Sequence, residues 1–80
     1  MREPRILWVD DEIDLFEPHV RFLNNKGYRV STVTNGADAV DRARETQFDL
    51  MFLDEQMPGL DGLETLEKIK EVSPEVPVVM

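Results

Sequence analysis

Residues 48–62 read FDLMFLDEQMPGLDG. The first six form a short, nearly continuous apolar run that suits a strand buried on both faces of a parallel sheet, and the run stops on Asp54. Glu55-Gln56-Met57-Pro58-Gly59-Leu60 has the turn chemistry of a loop, and Asp61-Gly62-Leu63-Glu64 has the spacing of a cap that opens a helix. Strand, acid-bearing loop and helix in that order are the building step of a βαβ unit.

The same alternation extends in both directions. Upstream, residues 28–33 predict a strand, and Asn35-Gly36-Ala37-Asp38 predicts a capped helix running to about Thr46. Further back, Ile13, Phe16, Val20 and Leu23 recur at helical spacing until Lys26-Gly27 supplies a stop. Pro18 sits beyond the first turn of that helix and predicts a kink or a late start, because it has no N–H to donate. Residues 5–9, RILWV, predict the first strand with Trp8 as a large core residue, and they meet Asp10-Asp11 at once. Downstream, Leu63, Leu66 and Ile69 share a helix face, with Glu64/Lys68 and Glu67/Lys70 as surface pairs. Pro74 and Pro77 bracket the exit, and residues 76–80 predict a fourth strand still running at Met80. The expected fold is α/β: a doubly wound parallel sheet forming one domain over residues 1–80, cut short in strand four.

Bulk properties narrow the function classes. Eighty residues allow one small domain. Seventeen acids against nine Lys and Arg give a formal charge of −8, a field that repels phosphate backbones and argues against direct nucleic-acid binding. With no Cys there is neither a disulfide framework nor a thiolate metal site. The first apolar run reaches Asp10 too soon to be a signal-peptide core, and no span is long enough for a membrane, so a cytoplasmic setting is expected.

The chemistry is expected where acids end strands. In an open parallel sheet, ligands collect outside the carboxyl ends of the strands, at the switch in strand order. Strands one and three are neighbours in a doubly wound sheet, so Asp10, Asp11 and Asp54 converge on one crevice. Any one of these acids alone would be read as a strand end or a helix cap; their convergence is the informative feature. Crowded carboxylates repel one another, and a hard divalent cation with oxygen ligands relieves that repulsion. Mg²⁺ fits, since it needs few protein ligands and leaves positions for phosphoryl oxygens, whereas Zn²⁺ would want His or Cys. A carboxylate beside such a metal can attack a phosphoryl group and form an acyl phosphate, and Asp54 is placed for that role.

Val9-Asp10-Asp11-Glu12, the run from Leu53-Asp54 through Met57-Pro58 to Asp61-Gly62, and Pro77-Val78-Val79-Met80 together resemble the receiver domains of two-component response regulators. The resemblance runs from Arg5 to Met80. It implies a CheY-like, flavodoxin-like fold and a phosphorylation-controlled switch that takes its phosphoryl group from a sensor histidine kinase. It implies further that Asp54 is the phosphoacceptor, that Asp11 and Asp54 ligate Mg²⁺ directly, that the Gln56 carbonyl adds a ligand, and that Asp10 acts largely through water. The Gln56 side chain stands where the family tunes hydrolysis of the acyl phosphate. Such a domain catalyses its own modification rather than turning over a substrate, and it signals through a fused or separate output domain, in some cases a transcriptional one. Ile6-Leu7-Trp8-Val9, Pro18-His19 and Gly27-Tyr28 further resemble receivers of Bacteroidetes regulators coupled to a PglZ-type effector.

The family also carries a Ser or Thr at the end of strand four and a Lys at the end of strand five, neither of which lies within these 80 residues. A sheet left open in this way is expected to self-associate. The alternative function is an unphosphorylated receiver-like module that docks protein partners through its helices. Other phosphate chemistries fail on spacing: there is no G-x-x-x-x-G-K-[ST] loop, no second Asp two residues after Asp54, and no EF-hand ligand ladder. His19 lacks the all-helical fold that a phosphotransfer histidine would need, and Met51 and Met57 are expected to be packing residues.

Overall fold

The computed structural model describes residues 3–55 and 62–80. Its elements alternate as β1 (Arg5–Val9), a 3-10 turn (Ile13–Phe16), α1 (Glu17–Asn25), β2 (Arg29–Val33), α2 (Gly36–Glu45), β3 (Leu50–Leu53), α3 (Gly62–Val72) and β4 (Val78–Val79). The strands form one parallel sheet in the order β2-β1-β3-β4, the doubly wound arrangement expected from the sequence. The sheet reverses direction of growth at β1, so β1 lies between β2 and β3 and its tip is flanked on both sides.

Side-chain alternation along the strands divides the molecule into two unequal faces. Leu7, Val9, Met51 and Leu53 point to one side and pack against Ala39, Val40 and Ala43 of α2 and Ile69 of α3, with Phe48 and Val76 completing this core. Small residues at 39 and 43 let α2 approach the sheet closely. On the other side Trp8 lies between Phe16 and Phe52 in tilted ring contacts, with centroids 5.3 and 5.2 Å away. Trp8 is therefore only half-buried and sits outside the main core, contrary to expectation. Ile13, Phe16, Val20 and Leu23 share the predicted face but reach only half-burial, and neither the 3-10 turn nor α1 has a fully buried residue.

Local chemistry sets the element ends. Pro18 falls in the first turn of α1, where its missing N–H costs nothing, so the late start is realised and the preceding turn is 3-10. Gly27 closes α1 at φ +99°, donating to the Asn24 carbonyl at 3.2 Å while Tyr28 donates to the Leu23 carbonyl at 3.1 Å, which is a Schellman cap. Because the Tyr28 N–H is used there, β2 begins at Arg29. Asn35 caps α2 as its sequence indicates, its side chain accepting from the Asp38 N–H at 2.8 Å. At β3 the Asp49 carboxylate accepts the Arg5 N–H at 2.8 Å, and the strand starts at Leu50 rather than Phe48. Lys70 donates to the Val76 carbonyl rather than pairing with Glu67, tying α3 to the approach of β4. Among the described residues no helix is long and apolar enough to cross a membrane.

Candidate functional site: an acidic pocket at the strand tips

β1 and β3 are in parallel register through Val9 opposite Leu53, so the next residue on each strand is an acid lying beside an acid. Backbone hydrogen bonds continue one step past both strands. Asp54 donates to the Val9 carbonyl at 2.9 Å, and Asp10 donates to the Val33 carbonyl at 3.1 Å. The two acids are thus held by the sheet itself, not by free loops. The Asp10 carboxylate accepts the Glu12 N–H at 2.9 Å, which turns the chain after β1 and leaves Asp11 at the rim.

One carboxylate oxygen from each of Asp10, Asp11 and Asp54 lies within 4.8 Å of the others. Asp10 and Asp54 are half-buried and Asp11 is exposed, so the cluster opens to solvent and a ligand can enter. All three donors are anionic oxygens, without sulfur or imidazole, and that set suits a hard divalent cation. The three site acids named from sequence are therefore brought together as expected. Gln56, the fourth expected ligand, lies outside the described residues, as do Met57 and the Asp61 cap.

Gly62 belongs to the site's support, a role that its place in the helix cap and in the Asp61-Gly62 motif does not by itself reveal. Its N–H donates to the Glu55 carbonyl at 3.0 Å. A Cβ there would stand 2.6 Å from Glu55 Cα and 2.9 Å from the Asp54 carbonyl oxygen, so the start of α3 rests directly on the backbone that carries Asp54. The signal in the sequence is the Asp61-Gly62 pair itself, a glycine at a helix start where backbone must approach backbone.

The response regulator receiver domain family matches residues 6–80. The chain is 41% identical over 75 residues to the transcriptional regulatory protein ZraR of Klebsiella oxytoca, covering 94% of this chain and 17% of that protein. It is 42% identical over 76 residues to a CpxR homolog, a transcriptional regulatory protein of Haemophilus influenzae, covering 95% of this chain and 33% of that one. It thus spans a third or less of these relatives' own length. Among solved structures, the response regulator TrrA of Thermotoga maritima in complex with Mg²⁺–BeF superposes with a TM-score of 0.83 at 35% identity, covering 94% of this chain and 65% of that one. TrrA has also been solved in complex with the histidine kinase ThkA, with the same score and coverage. In sequence and in fold, the chain belongs to the receiver domains of two-component response regulators.

Proposed function

We propose that Asp54 accepts a phosphoryl group and that Asp10, Asp11 and Asp54, with the Gln56 carbonyl, hold the Mg²⁺ that makes the transfer feasible. The observation that carries this reading is the meeting of three carboxylate oxygens within 4.8 Å at the tips of adjacent strands. The TrrA structure with Mg²⁺–BeF supports the metal, and its complex with ThkA supports a histidine kinase as donor. When bound, the cation offsets the negative charge of phosphoryl oxygens and carboxylates brought close together.

The chain's own residues then perform a simple exchange. A carboxylate oxygen of Asp54 attacks phosphorus, an O–P bond forms, and the P–N bond of the donor phosphohistidine breaks. The imidazole leaves with the electron pair and recovers a proton. Water reverses the modification by hydrolysing the acyl phosphate and regenerating the Asp54 carboxylate. The backbone bond from Asp54 to Val9 holds the nucleophile at the strand tip, so attack needs no rearrangement of the sheet. The phosphoryl state would be read by an output domain, with the cytoplasm as the setting in which kinase and receiver meet.

Acetyl phosphate and Mg²⁺ supply the test. Intact-mass spectrometry of the natural-length protein is expected to show one phosphoryl adduct, lost in Asp54→Asn and on adding EDTA. A wild type that stays unmodified under these conditions overturns the reading in favour of the docking module.

A further inference from the structure

At the opposite end of the sheet three arginines gather, with the Asp49 carboxylate nearby on the Arg5 N–H. In a chain of formal charge −8, Arg5, Arg29 and Arg42 line one cavity of about 200 Å³, together with Ser31, Thr46 and Phe48. No carboxylate contributes to this lining among the described residues. Arg5 and Arg29 are direct register partners across β1 and β2, an arrangement that like charges disfavour. Arg42 comes from the last turn of α2, and its Nη2 donates to Ser31 Oγ at 3.2 Å, which folds its guanidinium back over β2 toward the other two. Among the described residues the ion pair is Glu17–Arg21 on α1, so none of the three guanidinium groups meets a carboxylate.

Helix-dipole complementation accounts for a cation in the last turn of α2 but not for this convergence. Arg44 sits in the same turn and serves the same end without entering the cavity. Three cations around one small space, held partly by hydroxyls, are stabilised by an anion that all of them share. The volume is below the ~300–1,000 Å³ of sites for drug-sized ligands, which suits a single oxyanion group rather than a nucleotide.

We propose that this cavity is an oxyanion site for a phosphate group, bound by the guanidinium forks of Arg5, Arg29 and Arg42 with the Ser31 and Thr46 hydroxyls as further partners. It lies at the N-terminal ends of the strands, a full strand length from Asp54, and needs no divalent cation. The phosphate can be free or carried as a monoester, and the chemistry of capture is the same.

The test is titration calorimetry of the natural-length protein with inorganic phosphate and with O-phosphoserine, in EDTA and at ionic strength matched with chloride. Binding is expected in wild type and in Asp54→Asn alike, which separates this site from the acidic pocket. Arg29→Gln and Arg42→Gln should each weaken it by roughly tenfold, the loss of one charge-assisted contact. Tighter binding of the monoester assigns the site to a phosphorylated partner molecule, and equal binding assigns it to free phosphate. Heat that matches the chloride control overturns the proposal, as does binding unchanged in both Arg variants whose circular dichroism is native.

Discussion

At Gly62 a side chain has no room: the Met80 Cε at 2.8 Å can swing away, but Glu55 Cα at 2.6 Å and the Asp54 carbonyl at 2.9 Å are backbone. Ala has the better helix propensity by up to ~1 kcal/mol, but the clash can be relieved only by moving the Asp54 segment or the start of α3. Gly62→Ala is therefore expected to lower stability by about 1–3 kcal/mol, seen as a lower urea midpoint at unchanged slope. An unchanged midpoint would show that α3 does not bear on the Asp54 backbone. Thr65, three residues on, presents the reverse case. It is fully buried, and its hydroxyl has no hydrogen-bond partner among the described residues. Replacing that hydroxyl by a methyl in Thr65→Val should raise stability by roughly 1 kcal/mol, since a desolvated, unpaired polar group is removed without a change of shape. A lower melting temperature would contradict this.

The cap of α2 was legible from Asn35 to Asp38 because capping is local, needing only one side chain and a backbone N–H three residues on. Asn35→Ala should cost about 1 kcal/mol and lower the melting temperature by roughly 4–8 °C. Differential scanning calorimetry decides it, and an unaltered transition would mean that tertiary packing alone holds the helix. The strands and the convergence of Asp10, Asp11 and Asp54 were equally legible, since apolar runs ending in acids state both the element and its tip. Less legible were features set by distant residues. Whether Pro18 kinks α1 or merely delays it depends on packing against the sheet. Trp8 looks like core from composition, but strand alternation places it opposite Leu7 and Val9, on the thinner face. The Arg cavity joins three elements, and only the register of Arg5 with Arg29 brings it into view.

Taken as one body, the molecule is well covered on the α2–α3 side and thinly covered on the other. Leu15, Phe22 and Val79 are exposed, and Trp8 and Phe52 are half-buried on or beside that thinner face, while exposed Leu63 and Met80 add apolar surface near the start of α3. Among the described residues β4 is paired on one side only, by β3. The 80-residue chain on its own is therefore expected to self-associate, with light scattering on a sizing column reporting a mass above the monomer. A sharp monomer peak at all concentrations would refute the expectation.

Trp8 is the chain's one tryptophan, and its partner across the strands is Phe52, two residues before Asp54 just as Trp8 is two residues before Asp10. The indole therefore serves as an intrinsic optical gauge placed one pleat below the acids. An event at the strand tips that propagates one pleat down the ladder shifts the Trp8–Phe52 ring contact and with it the emission, so the protein needs no attached label for such a change to be followed.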